Sequence, residues 1–240
     1  MIKIDNLTKK FGNVTAVQNI CLHVRRGELF CFLGPNGAGK TTIIKILTGL
    51  LRPTSGSVRI NDVDILSDPD SAKKVIGYIP DMPFLYERLT PSEFFEFTGD
   101  LYNIPREKIY DELEKSFRLF GLIEQKDVLI KELSHGMRQR LLYSTVFLHE
   151  PMVLFIDEPL VGLDPYAIRL IKNLLTDKAR AGMTIFLTTH VLALAEDIAD
   201  RIGIINKGSL IALGTWQELI DKTGKNDLED IFLKLTSGDM

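Results

Sequence analysis

Two short stretches carry residues suited to holding an anion. "GPNGAGKT", Gly34 to Thr41, fits the pattern G-x-x-x-x-G-K-S/T. In that pattern the glycines, Gly34, Gly37 and Gly39, let successive backbone N–H groups turn inward around phosphates, and Pro35, Asn36 and Ala38 complete the loop. The helix N-terminus that follows adds partial positive charge. Lys40 then reaches the β- and γ-phosphates, and the Thr41 hydroxyl, next to Thr42, suits Mg²⁺. The context agrees, because the apolar strand "ELFCFL" runs in and the amphipathic "GKTTIIKILTGLL" runs out. The second stretch, "KELSHGMRQR", Lys131 to Arg140, also reads as the start of a helix that accepts an anion. Ser134 is a natural N-cap, and Gly136 leaves room for a group to approach the backbone. One chain thus has two anion-binding helix ends, and the first already forms a complete cradle.

"VLFIDEP", Val153 to Pro159, supplies acids at the end of an apolar strand. Asp157 is placed to hold Mg²⁺ through its water shell, and Glu158 to orient and polarise an attacking water. A positioned base is worth about 10²–10⁴ in rate. "FLTTH" ends another apolar strand on His190, where ligands sit in open α/β sheets. The imidazole could contact the γ-phosphate and the water. His23 and His149 have no such context and read as structural.

The elements that must position these groups follow from periodicity. "MIKIDNL" and "AVQNICLHV" alternate as strands, "SGSVRINDVDI" is a strand pair about Asn61-Asp62, and "VIGYIP" is a further strand. The helix after the cradle is expected to run to Arg52-Pro53. From Thr90 the period becomes helical. "TPSE" is a capping box with Pro91 at the first helical position, and "PREKIYDELEKSFRLF" is a helix ending at Gly121. "MVLFID" and "TIFLTTH" are buried strands, "RIGIINKGSLIALG" is a hairpin about Lys207-Gly208, and "TWQE" and "NDLED" cap two short terminal helices. Apolar strands alternating with helices predict a parallel sheet covered on both faces, with the N-terminal strands as an antiparallel layer beside it.

Composition sets the frame. The chain has 240 residues, 45% apolar and 25% charged, with a net charge of −3, so no broad basic field marks nucleic acid as a partner. Cys21 and Cys31 form no CxxC pair, and the pattern fits a reducing cytosol. "MIKIDNLTKK" has no apolar central segment of a secretion signal. "AGMTIFLTTHVLALA", the longest stretch without Asp, Glu, Lys or Arg, falls short of the roughly 20 residues a membrane-spanning helix needs.

"GPNGAGKT", "LSHGMRQR", "VLFIDEP", "GLDP" and "TTH", in this order, resemble the nucleotide-binding subunit of ABC transporters over nearly the whole chain. The resemblance implies one ATPase domain over residues 1–240, an α/β fold with a P-loop NTPase core and an antiparallel β layer. Residues 1–81 and 151–221 form the core with that layer, 82–150 an inserted α-helical signature subdomain, and 222–240 a short helical tail. It also answers why there are two anion sites. Two such subunits associate head to tail, and Ser134, His135, Gly136 and Met137 of one face the P-loop of the other, so ATP with Mg²⁺ glues them together. Phe11 matches the aromatic that stacks on adenine. Asp164 in "GLDP" matches a loop at the dimer interface, and is also a natural N-cap.

The chain departs from the family pattern in three places. The family's LSGGQ has a glycine where His135 stands and a glutamine where Met137 stands, and Met137 lacks the glutamine's polar contacts. In "YIPDMP" Asp81 replaces a glutamine that touches Mg²⁺ and the water, and a carboxylate there implies a weakened contact through the metal. The resemblance further implies a transmembrane permease subunit as partner, a homodimer or a heterodimer with a second ABC ATPase, and a place on the cytoplasmic face of the membrane. Phe84, Leu85 and Tyr86 are expected as exposed contacts for the permease. The closing "LEDIFLKLT" resembles exporter ATPases of the drug, antibiotic or lipid type. A soluble ABC ATPase of DNA repair or translation would need a long coiled coil or a second cassette, and no heptads are present. A GTPase or kinase would leave "LSHGMRQR" unexplained, and the guanine-reading NKxD is missing. A binding-only subunit would not need Lys40, Glu158 and His190 together.

Overall fold

The computed structural model describes residues 1–160, 162–224 and 227–236. Strand β1 (Ile2–Phe11) pairs antiparallel with β2 (Val14–Val24) and with β4 (Ser55–Ile60), and β5 (Val63–Asp64) completes a sheet of order β2-β1-β4-β5. The β4–β5 turn has Asn61 and Asp62 both at positive φ, a geometry that Asn and Asp tolerate well.

Strand β3 (Leu29–Leu33), the apolar strand that runs into the cradle, leaves these N-terminal strands. It lies instead at the centre of the second sheet, parallel to both β8 (Thr184–Thr189) and β9 (Arg201–Asn206). The reason is visible in its composition: all five residues of "LFCFL" are buried, so the strand has no solvent face to offer. With β6 (Ile76–Ile79), β7 (Val153–Asp157) and β10 (Ser209–Gly214) the order is β10-β9-β3-β8-β7-β6, and only β10 runs antiparallel.

Alternation along β3 serves two cores. Phe30 and Phe32 point to the face that also holds Phe155, Phe186 and the apolar side of the N-terminal sheet, with Phe30 and Phe186 rings 5.3 Å apart. Leu29, Cys31 and Leu33 point to the opposite face. Helix α1 (Lys40–Leu47) packs on β7 and β8 from the first side. Helix α1 ends sooner than the apolar pattern suggests, because Gly49 turns left-handed at φ 72° after the Thr48 cap. Short α2 (Pro69–Lys74) lies between β5 and β6.

Between β6 and β7 the chain is helical. Helix α3 (Pro91–Leu101) starts with the Thr90–Glu93 capping box, and α4 (Arg106–Leu119) ends before Gly121 at φ 62°. The two approach closely at Gly99, where a Cβ would stand 2.4 Å from Ile109 Cδ1, and Phe95 meets Phe117 edge-on at 5.5 Å. Helix α5 (His135–Val146) follows. After β7, α6 (Pro165–Arg180) and α7 (Leu192–Ile198) cover the second face of the sheet. Helix α8 (Trp216–Thr223) carries the Thr215–Glu218 capping box. At α9 (Leu228–Thr236) the Asp227 carboxylate accepts from the Asp230 N–H at 2.7 Å, while Asn226 lies outside the described residues. Among the described residues no helix is long and apolar enough to cross a membrane.

Candidate functional site

Four parallel strands end along one edge of the large sheet, and each delivers a group to it. Strand β3 ends at Leu33 and the chain turns through Gly34 to Gly39 into α1. The cradle is fixed by backbone bonds: Gly34 N–H donates to Thr189 O at 3.3 Å, Ala38 N–H to Pro35 O at 3.2 Å, and Gly208 N–H to Ala38 O at 3.0 Å. Gly39 has φ 109°, and a Cβ there would lie 2.5 Å from Ala16 O, so only glycine fits. Lys40 is 7% exposed, and its Nζ donates to Gly34 O at 2.6 Å and Pro35 O at 3.3 Å. The lysine thus closes the loop over its own carbonyls.

Strand β7 ends on Asp157, only 2% exposed, whose carboxylate accepts from the Thr188 hydroxyl on β8. The next residue, Glu158, has φ 53°, a left-handed conformation that costs a non-glycine residue about 1–2 kcal/mol. Its side chain is held from three sides. Oε1 lies 2.9 Å from His190 Nδ1 and 3.5 Å from Lys40 Nζ, and Oε2 accepts from Thr189 Oγ1 at 3.3 Å. His190 follows β8 and is half exposed, so its ring is open on one side.

Asp81 follows β6 and lines the same cavity as Gly37, Lys40, Thr41, Thr42 and Glu158, a space of about 240 Å³. Burial pushes the Asp81 carboxyl above its ordinary value, the charges of Asp157 and Glu158 push it the same way, and His135 and His190 oppose them. Three acids thus face one lysine, an excess of negative charge that fits a divalent cation brought in with phosphate. They do not form a cage by themselves: among the described residues no three His, Cys, Asp or Glu converge on a metal position. The donors that remain, a threonine hydroxyl and carboxylates, are the hard oxygens Mg²⁺ prefers. Larger cavities exist elsewhere, but none holds this combination of groups.

The second anion site stands apart from the first. Ser134 caps α5, its Oγ accepting the Met137 N–H at 3.2 Å. None of Ser134, His135, Gly136 or Met137 lines the cradle cavity. Ser134 and His135 are exposed, whereas Met137 packs its side chain against the core and offers only its backbone to the cap. Asp164 caps α6, with Oδ1 accepting the Ala167 N–H at 2.9 Å. Phe11 ends β1 about half exposed with Lys9 Nζ 4.9 Å above its ring, so it is not a core phenylalanine.

Two expectations need adjustment. Leu85 is buried and joins the core with Phe94 and Phe95, because the apolar side of this turn faces inward; Phe84 at 91% exposure and Tyr86 remain outside. The hydroxyls of Thr188 and Thr189, which hold Asp157 and Glu158, were read only as companions of His190. Their signal was present: two polar residues at the end of an otherwise apolar strand. His149 is structural, stacked on Tyr102 at 3.8 Å with Nε2 3.0 Å from Ile76 O.

A cradle at the end of one buried strand, with acids and an imidazole closing on its lysine from the neighbouring strand ends, defines the P-loop class of nucleoside-triphosphate hydrolases. Within that class the chain belongs to the ABC transporter family, whose sequence profile matches residues 17–161. The ABC-type transporter ATP-binding protein EcsA of Bacillus subtilis (strain 168) is 32% identical over the whole chain and 98% of its own length. The bacitracin transport ATP-binding protein BcrA of Bacillus licheniformis is 35% identical over 88% of this chain and 68% of its own. A solved ATP-binding subunit of an ABC transporter superposes with a TM-score of 0.93 at 30% identity, covering 98% of this chain and 99% of that one. A dimeric ATP-binding cassette in a post-hydrolysis state, bound to ADP and Pi, superposes with a TM-score of 0.82 at 25% identity over 90% of this chain and 98% of its own. The protein is an ATP-binding, ATP-hydrolysing subunit of an ABC transporter.

Proposed function

We propose that two such cassettes close head to tail on two ATP molecules, and that this closure drives a membrane-embedded permease that exports its cargo. The observation that carries the reading is the separation of the two anion sites. The N-terminus of α5 has a capped, exposed end whose residues do not line its own chain's cradle, though the His135 charge reaches Asp81 there. A second set of donors adds to a nucleotide already cradled only if it comes from another chain. The dimeric relative with ADP and Pi supports this.

In this reading Gly34 to Thr42 hold the phosphates and Phe11 stacks on the adenine. The phosphates take Lys40 from Gly34 O and from Glu158. Glu158, released from the lysine and still aligned by Thr189 and His190, accepts the proton of the attacking water. The attack forms the new P–O bond and breaks the bond to ADP. His190 offers its other ring nitrogen to the γ-phosphate. Ser134, His135 and Gly136 of the opposing cassette complete the shell, and Asp164 lies at the interface. Thr41, Asp157 and Asp81 would hold Mg²⁺, which neutralises phosphate charge when bound.

The permease contact is the exposed apolar turn beside Asp81, with Met82, Phe84 and Tyr86. A neighbouring groove of about 410 Å³, floored by Leu50, Tyr78, Phe94 and Tyr102, continues it and suits a short helix of the permease. The chain therefore sits on the cytoplasmic face of the membrane through its partner. Export follows the similarity to a bacitracin transport protein and to the linearmycin resistance ATP-binding protein LnrL of Bacillus subtilis (strain 168), 34% identical over 93% of this chain and 72% of its own. Affinity purification from detergent-solubilised native membranes tests the partnership. A multi-span membrane protein released when Phe84 is replaced by Asp supports it; recovery of the chain alone, or only with DNA-repair or ribosomal proteins, contradicts it.

A further inference from the structure

Helix α5 does more than present its N-terminus. It also grips the segment that leaves Glu158, at two points. At one, the Tyr143 hydroxyl, fully buried, donates to Pro159 O at 3.2 Å. Pro159 is the residue after Glu158, whose left-handed backbone depends on how the chain continues. At the other, the His135 imidazole occupies the space beside Gly162: a Cβ at Gly162 would stand 2.3 Å from His135 Cδ2 and 2.8 Å from Nε2. Gly136 also faces this residue, since a Cβ there would lie 3.1 Å from Gly162 O. Leu163 and Asp164 follow directly, and Asp164 caps α6.

We infer that Tyr143 and His135 are positioning residues that link the α5 N-terminus to Glu158 of the same chain. The inference rests on the reading that α5 touches the nucleotide of the opposing cassette. When that nucleotide draws on the α5 end, the pull reaches Pro159 through a buried hydrogen bond and Gly162 through ring contact. The base of one site is thereby set by occupancy of the other. A phenylalanine at 143 would fill the same volume without a donor, and would leave Pro159 O buried without its partner. The exposed end of the helix and its cap would be untouched.

The test uses the full chain with Tyr143→Phe, and with His135→Ala for the second grip. Measured are kcat, KM for ATP, the Hill coefficient, and ATP-dependent association in a Glu158→Gln background. Melting temperature confirms folding; Tyr143→Phe keeps the aromatic core and leaves the exposed helix end intact. His135→Ala also removes a group that faces the opposing nucleotide, so the rate and association effects of Tyr143→Phe decide and His135→Ala is read only against them. For Tyr143→Phe the expected result is a fall in kcat of about fivefold with KM and the association midpoint unchanged and the Hill coefficient moved toward one. The double variant should lose less than the product of the single effects, because both act on one segment. A Tyr143→Phe protein with kcat and Hill coefficient unchanged overturns the inference. So does an association defect as large as the rate defect, since the residue would then serve only the contact between chains. An inactive, solitary wild-type protein would instead overturn the reading on which the inference rests.

Discussion

Replacing Glu158 by Gln separates two roles that the geometry assigns to one carboxylate. The substitution keeps the shape and one oxygen, so the contacts to His190 and Thr189 have a partner of the same size. It removes the base, worth about 10²–10⁴ in kcat, or about 3–5 kcal/mol of barrier. It also removes a negative charge 3.5 Å from Lys40 Nζ. At an effective dielectric near 20 the gross attraction across that distance is about 5 kcal/mol, most of it offset by desolvation of two nearly buried groups. A residue of about 1 kcal/mol, or fivefold, is then released to the phosphates. Turnover and affinity should therefore move in opposite directions: kcat down by at least about a hundredfold, and the Kd for ATP unchanged or lower. Phosphate release against ATP concentration gives the first, and equilibrium binding of a fluorescent ATP analogue the second. Lys40→Ala is the contrast, losing the cation that the phosphates need and with it nucleotide binding. A Glu158→Gln protein within about threefold of wild-type kcat, or one whose whole defect lies in weaker ATP binding, would refute the assignment.

Other predictions come from groups away from the chemistry. Burial holds the His149 imidazole below its ordinary value, against the smaller opposing effect of the Ile76 carbonyl. A depressed histidine takes up protons preferentially when unfolded, so its contribution is present above about pH 6.5 and is lost as pH falls below that value. The melting temperature should drop more steeply between neutral and acid pH in wild type than in His149→Phe, which keeps a ring against Tyr102; parallel curves would contradict this. Phe84→Ser should leave stability within about 0.5 kcal/mol and basal ATP turnover unchanged, since the side chain is almost fully exposed. Turnover measured with the permease in vesicles should lose its stimulation, and retained stimulation would remove Phe84 from the contact.

Much of this architecture was legible because strong local signals agreed with the fold. The capping boxes at Thr90 and Thr215, the Asn61-Asp62 and Lys207-Gly208 turns and the glycines of the cradle are short-range chemistry, readable wherever they occur. What escaped depended on tertiary partners. The order of strands within the large sheet, with β3 between β8 and β9, is one such feature, because sequence adjacency does not show which strands a buried strand joins. Helix α7 is a short turn of seven residues with too little periodicity to stand out. Leu85 looked exposed between Phe84 and Tyr86, and only the packing of α3 turns it inward. At the site, residue types pointed to Lys40, Asp157 and Glu158, which the strand ends bring near one another, but not to the hydroxyls that hold the acids, nor to the grip of Tyr143 on Pro159. Both are long-range hydrogen bonds, separated in sequence by 31 and 16 positions, and no local pattern encodes them.

The central claim is that ATP itself joins two cassettes, and sedimentation of the Glu158→Gln chain tests it most directly. With saturating Mg²⁺ and ATP the account predicts a species of twice the mass, with a second cassette supplied if the working pair is mixed, which reverts on exchange to ADP and does not form with Lys40→Ala. A chain that stays solitary with ATP in excess and every candidate cassette present would contradict the account.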